Sequence, residues 1–182
     1  MSDTLAPRGA FDALSIPPEA KPTIRILVVD DERTLRDGCT SMLQADGYNV
    51  SSAGRGDEAI EMMRRSRFDI VLVDLHMTPV SGMEVVAGAI EANKEAIVIV
   101  ITGNPSVATS IEALRAGAWD YLPKPFSATH LHILIGRAAH VILVARETRD
   151  LRRHGVADSS NSDKVTLLGT APAFRNAVEL AR

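Results

Sequence analysis

Five residues whose side chains suit work on a phosphoryl group or a metal ion follow short apolar runs of this sequence. The runs ILVV, FDIVLV, AIVIVI and WDYLP are followed by Asp30 and Asp31, Asp74, Thr102, and Lys124 respectively. Carboxylates supply oxygen ligands to hard cations, a hydroxyl donates to an anion, and an ammonium offsets negative charge. An aspartate carboxylate is also a known covalent acceptor of phosphate. This set of groups is the one that phosphoryl transfer uses.

The apolar runs alternate with helical patterns, and this alternation predicts how the five residues come together. Strands are predicted at residues 24–29, 48–53, 68–73, 96–101 and 119–122, each followed by an amphipathic helix. Because parallel neighbours need crossover helices, the pattern predicts an α/β fold with a five-stranded parallel sheet, doubly wound, and an extended C-terminal helix. The carboxyl ends of the strands then share one edge, which is where ligands bind in such sheets.

Three carboxylates at one edge of a sheet repel each other, and this repulsion predicts a cation between them. A like-charged pair 4 Å apart costs about 1 kcal/mol in water and about 4 kcal/mol at an effective dielectric of 20. Mg²⁺ prefers oxygen ligands and removes this cost. A single aspartate at a strand end often only caps the next helix. Matching residues after four strands together favour a functional site.

The motifs around these residues resemble the receiver domain of bacterial two-component response regulators. They are VVDDE at 28–32, VLVDLHM at 71–77, the Gly82 that follows, ITG at 101–103 and DYLPKPF at 120–126. The resemblance covers about residues 24–140 and implies the flavodoxin-like receiver fold. It implies that Asp74 is the phosphoacceptor for a sensor histidine kinase, and that the chain is a signalling protein rather than an enzyme.

The resemblance also implies a cofactor, Mg²⁺, and a set of ligands for it. Asp31 and Asp74 would bind the ion through their side chains, and His76 through its main-chain carbonyl. Asp30 would act through a metal-bound water. The side chain of His76 is expected to be that of an exposed loop histidine.

Three further roles follow from the same resemblance. Lys124 would pair with the phosphoryl group, Thr102 would donate its hydroxyl to that group on switching, and Tyr121 would be the aromatic rotamer switch. The Lys124–Pro125 peptide bond is expected to be cis.

The chain departs from the family pattern four residues after Asp74. Thr78 stands where the family usually has Pro, and Pro79 follows it. The spacing to Gly82 is unchanged, so the loop keeps its length while its turn chemistry differs. This departure leaves the acceptor assignment intact and the loop conformation open.

Two other functional classes use the same fold. A flavodoxin-like cofactor binder needs a loop rich in Gly, Ser or Thr after the first strand, whereas VDDERT at 29–34 places acids there. A hydrolase with Asp74 as nucleophile normally needs a second acid two residues later, and that position is His76. The phosphoacceptor interpretation is therefore favoured.

The composition is that of an ordinary globular protein. The chain has 182 residues, is 46% hydrophobic and 24% charged, and carries a formal net charge of −3, which predicts neither a nucleic-acid-binding nor a membrane-binding surface. Cys39 is the only cysteine, so no internal disulfide forms. The weakly charged run at 131–145 is too short to span a bilayer. We therefore expect a cytoplasmic protein without a membrane segment.

The two ends of the chain lie outside the predicted receiver domain, residues 23–140. Residues 1–22 hold four of the nine prolines and predict a disordered tail. The last helical pattern runs from Ser127 to Arg153, and residues 141–154 outrun the sheet. Apolar and small residues fall close to a coiled-coil register at Leu131, Leu134, Ala138, Val141, Ala145 and Thr148. A parallel coiled coil that forms a homodimer is therefore expected there.

The final residues predict a linker and the start of another domain. GVADSSNSDK at 155–164 has the composition of a flexible linker. Residues 165–182 resemble the first turns of the AAA+ ATPase domain of sigma-54-dependent, nitrogen-regulation-type transcriptional activators. No G-x-x-x-x-G-K-[ST] loop occurs in the sequence. We therefore expect a truncated output domain, with contact to sigma-54 RNA polymerase and DNA only through missing parts. A stand-alone receiver, or a receiver with another kind of output domain, is the alternative.

Overall fold

The structure is a computed structural model that describes residues 16–103 and 107–157. The chain divides into two units, Met1–Ala145 and Arg146–Arg182, and the sheet lies in the first. Its strands are β1 (Arg25–Val29), β2 (Asn49–Ala53), β3 (Ile70–Asp74), β4 (Ile97–Thr102) and β5 (Asp120–Pro123). The helices are α1 (Arg33–Ala45), α2 (Gly56–Arg65), α3 (Gly82–Ala92), α4 (Val107–Arg115) and α5 (Ala128–Ala157).

All strand pairs are parallel, and the strand order is β2-β1-β3-β4-β5. The predicted α/β class with a five-stranded parallel sheet is confirmed. After β2 the chain crosses to the other side of β1 to form β3, so the order reverses between β1 and β3. At such a reversal the loops diverge and leave a crevice at the carboxyl edge. Val29 pairs with Val73, so Asp30 and Asp74 follow at the same level.

Successive residues of the central strands enter two different cores. In β3, Ile70 and Leu72 are buried in a cluster with residues of α1 and α5, whereas Val71 and Val73 are buried with residues of α2 and α3. Side chains alternate between the faces of a strand, and both faces of this sheet are covered by helices. This is why the strands read as continuous apolar runs.

Helix α3 begins with a capping box directly after the loop that follows β3. Glu84 N donates to Ser81 Oγ at 3.4 Å, and Ser81 N donates to Glu84 Oε2 at 2.9 Å. The hydrogen bond from the Ser81 main chain lowers the pKa of Glu84. The two reciprocal bonds fix where the loop ends and the helix starts.

The segment before β1 differs from the prediction. Residues 16–22 were expected to belong to a disordered tail, but Ile16 is only 6% exposed and lies in the hydrophobic core. Lys21–Thr23 form a short 3-10 helix. The prediction is therefore wrong for residues 16–22, because one apolar side chain finds a place in the core. Residues 1–15 lie outside the described residues.

Helix α5 starts where the sequence indicates, since His130 N donates to Ser127 Oγ at 3.2 Å. Leu131, Leu134 and Ala138 pack against the sheet. The expectation that residues beyond 140 need an outside partner is wrong for Ile142, which is 6% exposed in the same core. The neighbouring Val141 and Val144 are 45% and 47% exposed, and a partner for them stays a prediction.

The expected linker at 155–164 begins later than predicted. Helix α5 includes residues 155–157, because a glycine within a helix costs only about 1 kcal/mol relative to alanine. The rest of that linker, and the expected start of an ATPase domain at 165–182, lie outside the described residues.

Within the described residues, one helical stretch, Ala128–Arg153, is long and apolar enough to cross a membrane. This is weak evidence, because a core helix of a soluble protein passes the same test of length and composition. Leu131, Ile135 and Ala138 are at most 1% exposed within the domain. The same stretch carries a charged residue, Arg137. Its guanidinium lies 5.2 Å from the centroid of the Trp119 ring and 3.5 Å from the Asp120 carboxylate.

Candidate functional site

Three carboxylates converge where β1 and β3 end. Asp74 is the last residue of β3, and Asp30 and Asp31 follow β1. One carboxylate oxygen from each of the three lies within 4.8 Å of the others. Asp30 and Asp74 are 1% and 5% exposed, whereas Asp31 is exposed. The predicted convergence of these residues is therefore observed.

Lys124 bridges the two buried carboxylates. Its Nζ donates to Asp30 Oδ2 and to Asp74 Oδ2, both at 2.8 Å. The lysine is held at this edge because its main-chain N donates to Thr102 O at 2.7 Å, directly after β5. The following Lys124–Pro125 bond is cis, as expected. One ammonium thus faces two carboxylates inside the crevice.

Burial and charge pairing act on these groups in opposite directions. Burial raises the pKa of Asp30, despite the hydrogen bonds from Lys124 and from Glu32 N that lower it. Burial lowers the pKa of Lys124, but the bonds to Asp30 and Asp74 outweigh burial, so that pKa is raised. Lys124 is therefore firmly protonated. The hydrogen bonds to the Asp30 carboxylate only partly offset the cost of burying its charge.

The main chain orients the second oxygen of each buried carboxylate. Glu32 N donates to Asp30 Oδ1 at 2.8 Å, and His76 N donates to Asp74 Oδ1 at 3.1 Å. Both bonds span two residues, the pattern of an Asx turn. His76 itself is exposed. Each carboxylate is thus fixed by its own loop on one side and by Lys124 on the other.

The donor set fits Mg²⁺. The three carboxylates offer hard oxygen ligands close together, and they carry more negative charge than one ammonium neutralises. Mg²⁺ is commonly bound by one or two carboxylates with water completing its shell. Asp31, at the exposed side of the cluster, leaves room for such waters.

The two remaining predicted site residues, Thr102 and Tyr121, differ in their position relative to the three carboxylates. Thr102, 2% exposed, ends β4 at the same edge, one residue after Ile101, the register partner of Asp74. Tyr121 lies in β5 opposite Val100, and its side chain is 41% exposed. Thr102 therefore borders the cluster, whereas Tyr121 is not brought into it.

The loop between β3 and α3 has little freedom despite its unusual sequence. A Cβ at Gly82 would lie 2.0 Å from Asp74 O, so only glycine fits there. Gly82 N donates to Leu75 O at 3.2 Å, and Thr78–Pro79 is a second cis bond. The close approach at Gly82 ties the start of α3 to the main chain of Asp74.

Sequence reasoning missed Arg36, which contacts the site from α1. Its Nη1 donates to Asp30 O at 2.7 Å, and a Cβ at Gly54 would lie 3.0 Å from that nitrogen. Helical side chains lean toward the helix N-terminus. The signal available in the sequence was a long cationic side chain one turn into α1, the helix that follows the acidic loop.

This chain is similar to known proteins in sequence and in fold. The family model for the response regulator receiver domain matches residues 26–136. The chain is 34% identical over 164 residues to response regulator MprA of Mycobacterium ulcerans, covering 88% of this chain and 66% of that protein. The chain therefore spans slightly less than two thirds of the length of this relative.

Two solved structures share the fold. One is a response regulator from Burkholderia pseudomallei with a phosphorylated aspartic acid, a calcium ion and citrate, at 26% identity and a TM-score of 0.59. The alignment covers 76% of this chain and 87% of that regulator. The other is NtrX from Brucella abortus in complex with ATP, at 27% identity and a TM-score of 0.65, covering 85% of this chain and 33% of NtrX. Because the family match takes in more than half of the sequence, this chain belongs to the response regulator receiver domain family.

Proposed function

We propose that Asp74 accepts a phosphoryl group from a phosphohistidine of a sensor histidine kinase. The observation that carries the proposal is Asp74 at the end of β3 with Lys124 Nζ 2.8 Å from its Oδ2. A carboxylate oxygen forms the new bond to phosphorus while the bond to the imidazole nitrogen breaks, and that nitrogen keeps the electron pair. Lys124 offsets negative charge on the transferred oxygens.

Mg²⁺ is the cofactor in this proposal. Asp31 and Asp74 would bind it with their side chains, His76 with its main-chain carbonyl, and Asp30 through a water. When bound, Mg²⁺ neutralises charge that develops on the phosphoryl oxygens. The close carboxylates support this assignment, as does the calcium ion in the phosphorylated regulator from Burkholderia pseudomallei.

Thr102 and Tyr121 are proposed as the switch that reads the phosphoryl group. Thr102 would donate its hydroxyl to a phosphoryl oxygen and so leave the space that it fills at the end of β4. Tyr121, 41% exposed here, would then turn inward. Such a change is a shift between two packings, driven by contacts that exist only with phosphate present.

The acceptor assignment is tested by intact-mass spectrometry with a small phosphoryl donor such as acetyl phosphate. The parent should gain one phosphoryl group with Mg²⁺ and none with a chelator, and Asp74→Asn should gain none. Asp37→Asn is the matched control, because Asp37 is an exposed aspartate on α1, 57% accessible at its side chain. Labelling of Asp74→Asn at the parent level would refute the proposal.

The last helix is proposed to form a homodimer as a parallel coiled coil. Val141 and Val144 are exposed in the first unit, and Leu151 is 67% exposed in the second. With Thr148 these positions are 3, 4 and 3 residues apart, the spacing of a coiled-coil seam. This seam differs from the predicted register, because Leu131, Leu134 and Ala138 are buried in their own domain.

Light scattering over a concentration series tests the dimer. The parent should approach twice the chain mass, and Val144→Glu and Leu151→Glu should remain monomeric, because each places a charge in the seam. Arg153→Glu is the control, since helical spacing puts residue 153 on the side away from Leu151. A parent that stays monomeric at micromolar concentrations would contradict this proposal.

Control of a sigma-54-type output domain by this receiver, in the cytoplasm, is the final part of the proposal. Its support is the sequence of residues 165–182 and the likeness, over 85% of the chain, to NtrX, which was solved in complex with ATP. RNA polymerase and DNA would be contacted only by that output domain. The coding sequence after Arg182 tests this directly: a Walker-type loop within a few dozen codons supports it, and a different domain contradicts it.

A further inference from the structure

The segment before β1 has a defined shape, although it precedes the receiver-domain match that starts at residue 26. Ala20 N donates to Pro17 O at 2.9 Å, which closes a turn. The short 3-10 helix Lys21–Thr23 follows, and Thr23 Oγ1 donates to Ala20 O at 2.7 Å. Asn49 N then donates to Ile24 O at 3.2 Å. These bonds place residues 16–23 beside the start of β2.

Ile16 anchors this segment in the core. It is 6% exposed and belongs to the buried cluster that contains residues of β1, α1 and α5. With Tyr48, Ile135 and Gly136 it lines a cavity of about 210 Å³. The side chain thus sits between the turn that joins α1 to β2, residues 46–48, and the middle of α5.

Lys21 makes the second attachment. Its Nζ lies 5.5 Å from the centroid of the Tyr48 ring, a cation–π contact. Its aliphatic stem passes close to Gly47, where an added Cβ would lie 3.8 Å from Lys21 Cδ. The same turn reaches α5 through Asp46, whose Oδ2 is 2.5 Å from His132 Nε2. Segment, turn and helix therefore form one continuous set of contacts.

We propose that residues 16–23 are a strap that holds α5 against the turn between α1 and β2. The groove between this turn and α5 is then an interaction surface whose occupant is the protein's own N-terminal segment. Ile142, further along α5, is buried in the same cluster as Ile16. Because Ile16 lies beside Ile135 and Gly136, the strap would contribute to the attachment of the following residues of α5, within the first unit, to the sheet. This inference goes beyond the proposed function and does not depend on phosphorylation of Asp74.

Hydrogen–deuterium exchange of the full chain tests the strap with Ile16→Asp. A carboxylate without a partner is expelled from an apolar site, so the strap should leave the groove. Amides of residues 135–145 should then exchange at least about tenfold faster, whereas those of β3 and β4 should stay within about twofold of the parent, since local openings differ across a fold. Glu19→Gln, at an exposed position of the same segment, is the control and should exchange like the parent.

Lys21→Met provides a second variant, because Lys21 is only half buried and its loss spares the core. It should accelerate exchange in residues 135–145 less than Ile16→Asp does. Parent-like exchange of these amides in Ile16→Asp would overturn the proposal. Equal acceleration in α5, β3 and β4 would also overturn it, since Ile16 would then contribute only to global stability.

Discussion

Lys124 Nζ donates to Asp74 Oδ2 at 2.8 Å, and it donates to Asp30 Oδ2 at the same distance. The two carboxylates are almost completely buried, and the lysine side chain is 17% exposed. A single cation therefore compensates two buried anions, and it occupies the place where a phosphoryl group would need a positive partner. Stability and the proposed chemistry thus depend on the same ammonium.

Replacing Lys124 by Met should lower the free energy of unfolding by about 3 kcal/mol, because it leaves buried carboxylates without a cation. Urea unfolding with a chelator present measures this loss. Added Mg²⁺ should recover part of it, since the ion compensates the same carboxylates. Lys94→Met, at an exposed lysine, is the control and should differ from the parent by less than about 0.5 kcal/mol. A loss that Mg²⁺ does not reduce would argue against a cation site here.

Gly82→Ala should destabilise the protein by about 3 kcal/mol or more, because overpacking against rigid neighbours cannot relax. The added Cβ would lie 2.0 Å from Asp74 O and 2.6 Å from Leu75 Cα, both of them main-chain atoms. Gly103→Ala is the comparison, since a Cβ there meets no atom of the described residues within 4 Å. Chemical denaturation of both variants decides the matter, and equal stabilities would show that the loop after β3 is not held as described.

Gly136→Ala and Gly47→Ala should change stability in opposite directions. Gly136 lies inside α5 with open space for a Cβ, so alanine should add about 0.5–1 kcal/mol. Gly47 has a φ of +97°, a conformation that costs an L-residue about 1 kcal/mol or more. Thermal unfolding of the two variants beside the parent checks both signs, and a destabilised Gly136→Ala would contradict the open space described.

Tyr48 should make the protein less stable at high pH. Burial, with a contribution from Asp46, raises the pKa of Tyr48 from 10 to about 12. Its contribution to stability is complete below pH 10 and is lost as pH rises toward 12, because the unfolded chain releases the proton first. The loss amounts to about 2–3 kcal/mol at most.

Tyr48→Phe removes this titration and isolates its effect. The difference in free energy of unfolding between parent and variant should shift in favour of the variant between pH 9 and pH 12. Urea titrations at several pH values in this range measure the difference. A difference that does not change with pH would contradict the assignment.

The order of strands and helices, and the edge at which the acidic residues meet, were predictable from the sequence. Continuous apolar runs mark strands covered on both faces, and parallel strands bring residues such as Asp30 and Asp74 to one edge. Lys124 at the end of the fifth strand followed from the same rule. The detailed contacts of Arg36 did not, because a cation on an amphipathic helix is more often solvated than aimed at a neighbouring strand end.

The sequence by itself thus determined the fold class and the residues of the candidate site, because periodicity and strand ends are local properties of the chain. Tertiary structure alone decided that Ile16 belongs to the core, that Ile142 is covered while Val141 and Val144 are exposed, and that the Tyr121 side chain is 41% exposed. Each of these outcomes depends on which surfaces distant segments present to one another. A proline-rich stretch with one isoleucine carries no periodic pattern, so only the tertiary structure shows that Ile16 packs in the cluster that contains Tyr48 and Ile135.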